Sequence, residues 1–543
     1  MSAPAFAPAA DRRNALDRAH IGDIEGALGT VYAFDTGPRL TSRRKLATLL
    51  AVLGPGVVVM VADNDAGTIS VFAQAGQNHG MRLLWVLLVL CPALYVTQEM
   101  VARLGAVTGS GHARLTRERF GRLWCAFSLG DLLILNLATL VTEFIGVALA
   151  LSYFGVPKYA SAPAAAIVLV ALTATGSFRR WERAMYVMIA ANLALIPLAL
   201  TSRPHAASIA AGLVPALGGG TASSTVLLLV ALVGTTIAPW QLFFQQSNVV
   251  DKRITPRWLR YERVDTAIGA VIFAACAGAV LILSATVAAS ALHRRPFIDA
   301  GAVAHAIGAS LGPGAGGVFA LALLNASLLG AGVVSLSGSY AIAEVFGVKH
   351  SLHRKANDAR AFHASFAVII ALAAAVVLVP GLPLGAVTTL VQALAGILLP
   401  STLVLLLILC NDEQLLGPLT NGRVLNAVGA AVVGSMLALS MLLTITTVLP
   451  GMPFATALIA TLALLLAAGV VLGAGNLRHK RPRRAAAAAL TPWQRQTWSA
   501  PMLELVDPAT PTRSRLLALA LLRAYVLLIA GLLLLKLAGV LPG

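Results

Sequence analysis

The sequence predicts an all-α polytopic membrane protein built on an inverted five-plus-five helix repeat, with broken helices 1 and 6 and additional C-terminal spans. Three observations predict it. Of the 543 residues 58% are hydrophobic and 11% charged, whereas an ordinary soluble protein is about one quarter charged. Thirteen stretches are apolar over roughly the length needed to cross a bilayer. The first and the sixth of them, which open successive groups of five, are interrupted by polar residues and by glycine or proline.

The stretches fall at 46–75, 82–102, 123–153, 163–177, 184–201, 225–247, 266–292, 315–343, 363–380, 384–410, 424–449, 453–474 and 516–540. This predicts a cytosolic N-terminal tail over 1–45, a first five-helix repeat over 46–201 and a second over 225–410. Additional spans follow at 424–474, then a basic cytosolic loop at 475–515 and a final span at 516–543. An odd number of spans per repeat inverts the second copy. In such a fold, broken helices at matching positions build the substrate site at mid-membrane.

A net charge of +18 raises nucleic acid as a partner, and the placement of the basic residues decides against it. With the N-terminus in the cytosol, 33 of the 40 Lys and Arg lie in inner segments and 5 in outer ones, which is the positive-inside bias. The run Arg478 to Arg484 then reads as a topology anchor on an anionic lipid surface. Residues 1–45 lack a continuous apolar core and include Asp11, Asp17, Asp23 and Glu25, so no cleavable signal peptide is expected there. The bilayer is the expected partner, and the expected location is a bacterial inner membrane. Four cysteines without a pairing pattern (Cys91, Cys125, Cys276, Cys410) read as packed thiols.

The interruptions carry the chemistry. The first is Ala62-Asp63-Asn64-Asp65-Ala66-Gly67-Thr68, and the second runs from Gly234 through Thr235, Thr236, Ile237, Ala238 and Pro239 to Trp240 and Gln241. In hydrocarbon every backbone N–H and C=O must be paired, so irregular backbone belongs where it lines a cavity or is covered by protein. Pro239 removes a donor and Gly67 weakens a helix, so each half has a local cause for unwinding. An ionised carboxylate at mid-bilayer costs ~2.5–3.5 kcal/mol on insertion scales, and Asp63 and Asp65 both sit there. On a regular helix their side chains diverge by about 200°; unwound, both can reach one cavity. With the Thr68 hydroxyl and carbonyls near Ala62 and Ala238 they form an all-oxygen set suited to a hard divalent cation. The competing reading is a pair of acids neutralised by protonation or by a buried base, and no Lys or Arg falls within the first span.

These residues resemble a family. Gly54-Pro55-Gly56, Asp65-Ala66-Gly67-Thr68, Gln74-Ala75-Gly76 and Leu83-Leu84-Trp85 follow, in order and spacing, the signature of the NRAMP divalent-metal transporters. Further matches are Arg103-Leu104-Gly105 with Val107-Thr108-Gly109, Thr142-Glu143-Phe144-Ile145-Gly146, Arg179-Arg180-Trp181-Glu182-Arg183, and Gln392 ahead of Leu399-Pro400. The resemblance covers roughly 45–450. It implies a fold like that of the amino-acid/polyamine/cation (LeuT-like) transporters and alternating access around a metal held between helices 1 and 6. It also implies that Asp65 is the metal-binding carboxylate, that Ala62 and Ala238 offer backbone carbonyls, that Gln392 is a polar neighbour, and that Thr68 replaces the usual Asn.

The departures are as informative. Where family members selecting Mn2+ and Fe2+ have Met-Pro-His, this chain has Ala238-Pro239-Trp240. A sulfur ligand favours softer metals, so its loss removes a filter against Mg2+, and Mg2+ prefers to keep some of its water. The pattern is similar to the NRAMP-related magnesium transporter branch. The expected cargo is Mg2+ and Mn2+, as substrate and not as cofactor. The family's titrating positions hold Trp240 and Leu140 while Glu143 survives, so weak proton coupling is expected. Membrane potential favours inward movement of a dication by ~4.6 kcal/mol per 100 mV.

Proton-coupled Mn2+/Fe2+ transport, transport of organic cations or amino acids, and a non-transporting metal receptor are the alternatives. The lack of a P-loop, nucleophile elbow or HExxH leaves an ATP-driven pump or an enzyme without residues to stand on. Glu99, four residues before Arg103, is expected to form a helix-end ion pair, and Glu344 to be interfacial.

Overall fold

The computed structural model describes residues 17–216 except 36, then 222–289, 296–448, 452–477, 497–506 and scattered positions between 491 and 525. Residues 1–16, most of the basic loop and most of the final span predicted over 516–540 lie outside the described residues.

A hairpin of two short strands, β1 (Ile24–Gly26) and β2 (Gly29–Val31), precedes the helices. Helix α1 (Ser42–Val52) bends by 49° into α2 (Pro55–Ala62). The bend has a local cause in Gly54, whose φ of 155° favours glycine. Pro55 then suits the first helical position. After three non-helical residues comes α3 (Ala66–His79). The first half continues with α4 (Trp85–Thr108), the short α5 (His112–Phe120), α6 (Arg122–Ser152), α7 (Lys158–Thr173), α8 (Phe178–Asn192) and α9 (Leu195–Thr201).

A connecting helix, α10 (Ala206–Gly212), leads to the second half, which opens with α11 (Ala222–Thr236) and α12 (Pro239–Asp251) on either side of Ile237-Ala238. Then follow α13 (Leu259–Ala289), the peripheral α14 (Ala300–Leu311), α15 (Pro313–Phe346), α16 (Arg360–Val377) and α17 (Leu384–Cys410). A single turn, α18 (Glu413–Leu416), precedes the additional spans α19 (Arg423–Val448) and α20 (Phe454–Leu477).

The fold is thus a polytopic inverted-repeat helical bundle. Among the described residues nine helical segments are long and apolar enough to cross a membrane, while α7, α14 and the Phe454–Leu466 part of α20 are shorter apolar segments. The apolar stretch starting at residue 46 is three helices, and its first part belongs to α1, which leaves Leu46 exposed. The two halves interlock. Helix α13 packs along α2 and α3 and α15 along α6, while within the second half α11 packs along α17. Glycines permit this intimacy: a Cβ on Gly234 would stand 2.1 Å from the Gln392 carbonyl oxygen, so α11 and α17 touch backbone to backbone there.

Glu99 pairs with Arg103 at 3.3 Å and with Arg263 at 2.8 Å, so the expected helix-end pair extends to a second helix. Glu344 is buried, not interfacial: Ser247 donates to it at 2.6 Å, and Gly111 leaves room for its carboxylate.

Candidate metal site

The site begins with the helix ends that the two breaks create. A helix leaves four N–H groups free at its start and four carbonyls at its end. At the start of α2, the Asp265 carboxylate accepts from the Gly56 and Val57 N–H groups at 2.7 and 3.2 Å. At the start of α3, Asp65 is the N-cap and accepts from the Thr68 N–H at 2.8 Å. Glu143, reaching across from α6, accepts from the Ala66 N–H at 3.1 Å. Two carboxylates therefore compensate the positive end of α3.

The second break is closed by one amide. Gln241 accepts from the Ala238 N–H at 3.3 Å and donates to the Thr236 carbonyl at 3.4 Å. Its carbonyl oxygen also accepts from Gln98 Nε2 at 3.1 Å. Ala238 itself is extended (φ −105°, ψ 147°). The carbonyl-bearing ends of α2 and α11 face this region with the partial negative charge of helix C-termini.

Thr68 joins the breaks. Its hydroxyl donates to the Asp63 carbonyl and meets the Thr235 hydroxyl at 2.6 Å. Asp63, Asn64, Asp65, Thr68, Glu143 and Gln392 are all buried. The Asp63 carboxylate lies beside Gln241 and near Asp65, yet neither of its oxygens makes a hydrogen bond of good geometry. Both polar atoms of the Asn64 side chain and Nε2 of Gln392 are likewise buried without partners. Buried polar groups are nearly always paired, and each exception calls for an explanation.

The residues expected from sequence meet here, with three revisions. Gly67 is not part of the unwinding, since it lies inside α3. A Cβ there would fall 1.9 Å from Gln392 Nε2, so its role is to let that side chain approach. Pro239 does not unwind the chain either; it occupies the first position of α12, where its missing N–H costs nothing, and the extended residue is Ala238 before it. Thr68 is already committed to tying two carbonyl-rich segments together. Ala62 closes α2, and Trp240 is buried with its carbonyl accepting from Ser337 at 2.9 Å. Gly330 brings α15 against the break, where a Cβ would stand 2.8 Å from Asp65 Cβ and 2.9 Å from Glu143 Oε2.

Four residues escaped the sequence reading as site members: Thr235, Gln241, Gln98 and Asp265. The first two stand within the polar interruption of the sixth span, so that signal was available. The others had none.

On one side of this site lies a cavity of about 720 Å3 whose lining includes Gln74, Asn78, His79, Ser224 and Thr389. The Thr389 hydroxyl donates to Gln74 at 3.0 Å on that path. Gln392 lies one turn further along α17.

Comparison with known proteins agrees with this architecture. Residues 56–446 match the family model described as natural resistance-associated macrophage protein-like. A divalent metal cation transporter MntH of Deinococcus radiodurans is 26% identical over 435 residues, spanning 77% of this chain and 93% of that protein. The protein of the same name from Bacillus subtilis is 31% identical over 309 residues, 53% of this chain and 70% of its own. A crystal structure of the Eremococcus coleocola manganese transporter superposes with a TM-score of 0.62 at 20% identity, covering 79% of this chain and 94% of that one. With the family model matched over most of its length, the chain belongs to the Nramp family.

Proposed function

We propose that the chain is a secondary transporter that imports divalent metal cations, Mg2+ and Mn2+ in partly hydrated form, by alternating access and without strong proton coupling. The observation that carries this reading is the Asp63 carboxylate, buried in a helix break beside Gln241 with neither oxygen in a hydrogen bond of good geometry and with Asp65 close by. A lone buried carboxylate is costly, and a dication between two of them would offset that cost. The remaining donors in reach are oxygens: the carbonyl ends of α2 and α11 and the amide of Gln392. Such a set suits hard cations, which bind oxygen and retain water. The names of the relatives support the cation class.

The magnesium-transporting branch is supported by Ala238 and Trp240, where a thioether and an imidazole would favour transition metals and proton transfer. The second reading, proton-coupled Mn2+ or Fe2+ transport, is favoured by Glu143, which survives beside Asp65 at the start of α3. The chain is further proposed to lie in a bacterial inner membrane with its N-terminus in the cytosol and the segment 475–515 as a basic cytosolic anchor, and to act without changing its substrate chemically.

The test is uptake of Mg2+, Mn2+ and Ca2+ into liposomes carrying an internal pH reporter. Mg2+ and Mn2+ uptake with no acidification of the lumen is the expected result. Uptake of Mn2+ alone, with one-for-one acidification, would favour the second reading, and binding without flux would mark a receptor.

A further inference from the structure

Alternating access requires one face of the transport site to be sealed while the other is open. The cavity beyond Gln74 and Thr389 lies on one side of the breaks. On the other side the described residues form a continuous lock, and its outermost layer is the segment 17–35, which composition alone marks as a tail.

This segment is folded. A turn at Arg18–His20 leads into the β1–β2 hairpin, in which Ile24 pairs with Val31 and both are buried. The hairpin lies flush on α1: a Cβ on Gly26 would stand 2.2 Å from the Ala51 carbonyl oxygen, and one on Gly29 would stand 3.3 Å from Ala51 Cβ. Its turn reaches α8, because the Ala27 N–H donates to Glu182 and the Arg179 guanidinium donates to Thr30. Glu182 in turn holds Lys252, just past the end of α12, at 2.6 Å. Lys252 also donates to the carbonyl of Leu53 in the α1–α2 bend.

The start of the segment grips the other wall. Arg253 donates to the carbonyls of Ala19 and Asp23 at 2.8 and 2.9 Å. It does so from a left-handed backbone conformation, φ 66°, which non-glycine residues seldom adopt and which persists where the surroundings enforce it. Asp17 pairs with Arg354 in the link between α15 and α16. Burial alone would raise the Asp17 carboxyl, but Arg354 outweighs it and holds the group below the ordinary carboxylate range. His20, buried against His350, lies 3.4 Å from Asp251, whose carboxylate also accepts from Tyr340, Ser351 and the Leu352 N–H.

One short segment therefore ties four bodies together: the bent α1–α2 pair, α8, the inner end of α12, and the α15–α16 link. Two of these, α2 and α12, are the half-helices that end at the breaks and can hinge there. Tilting α2 away from α8, or α12 away from α15, stretches contacts made by this segment. We infer that residues 17–35 are a latch across the inner mouth of the pathway, docked while the inner face is closed and released as α2 or α12 swings out. The inference rests on the transport reading. Many of the latch contacts are hydrogen bonds and ion pairs that water can replace on release, while Ile24 and Val31 give up apolar burial against α1.

The experiment uses the full chain in proteoliposomes, with Cys91, Cys125, Cys276 and Cys410 replaced by Ala and with Thr30→Cys and Arg179→Cys introduced. A reducible bis-thiosulfonate then ties the hairpin to α8. Mg2+ uptake by the untied pair is the reference. Tying should cut it at least tenfold, and reduction should restore it; uptake at the untied rate with the link in place would overturn the latch. An independent reading uses Ala51→Cys in the same background, a position covered by the hairpin and fully buried. A thiol reagent on the cytosolic side should modify it several-fold faster while a Mg2+ gradient drives turnover than without the ion. Equal rates would also overturn the latch. An untied protein that moves neither Mg2+ nor Mn2+ would count against the transport reading, whereas transport indifferent to the link counts against the latch alone.

Discussion

The hydroxyls of Thr68 and Thr235 meet at 2.6 Å, and this contact joins the two broken helices to one another. Thr68 supplies a donor to the Asp63 carbonyl from the same oxygen. Thr68→Val keeps the shape but leaves a buried carbonyl and a buried hydroxyl short of a partner, at a cost of ~1–3 kcal/mol. Lower melting temperature and Mg2+ uptake reduced by about tenfold should result, since 1.4 kcal/mol is a factor of ten. Thr68→Ser should recover most of both. Equal uptake by the Val and Ser variants would show that the bridge does not matter to transport.

Asp65 has two roles that substitution can separate. As N-cap of α3 it accepts from the Thr68 N–H, a task Asn performs equally well, while Ala at a cap costs ~0.5–2 kcal/mol. As a carboxylate it is proposed to hold the ion, which Asn does far more weakly. Asp65→Asn should therefore melt close to the parent temperature and show Mg2+ uptake at background, whereas Asp65→Ala should lose uptake and stability together. Substantial flux through a correctly inserted Asp65→Asn protein would remove this carboxylate from the site.

The breaks were legible because polar residues inside apolar runs are expensive, and that expense is visible in a linear sequence. Asp65, Asp63 and Ala238 were found that way. What holds the breaks was not legible. Asp265 caps α2 from 209 positions away, and Gln98 reaches Gln241 from another helix. Gly67 was read from local propensity as a helix breaker, yet its reason is a side chain from α17, which no local rule contains. The latch was invisible for the same cause: three-residue strands carry almost no periodic signal, and the partners that fold them, Ala51 and Glu182, lie elsewhere in the chain.

Gln74 and Thr389 both line the cavity beside the site and are joined by a hydrogen bond of 3.0 Å; on the transport reading this pair gates the outer side. Thr389→Val removes it, and a bond of net ~0.5–1.5 kcal/mol corresponds to a shift of roughly two- to tenfold between states. The outward-open state should gain. Initial-rate kinetics should then show a lower KM for external Mg2+ together with a lower maximal rate. A fall in maximal rate with KM unchanged would mean that the pair does not gate the outer side.

Ala238 decides, on this reading, which metals the site refuses. It is buried at the break, preceding Pro239, and it puts no side-chain donor into the pocket. Ala238→Met introduces a polarisable thioether, which favours Mn2+ and still more Cd2+ over Mg2+, and it fills volume that a hydrated ion would use. Added bulk in a packed site costs ~1–3 kcal/mol by itself, so a fall in Mg2+ uptake alone proves nothing about sulfur. Ala238→Leu supplies the control, matching the bulk without the thioether. The Met variant should raise the ratio of Mn2+ to Mg2+ uptake several-fold and make Mg2+ uptake sensitive to Cd2+, while the Leu variant should depress every ion alike. If the two behave identically, volume and not ligand softness sets selectivity at this position, and oxygen chemistry would have to account for the preference unaided.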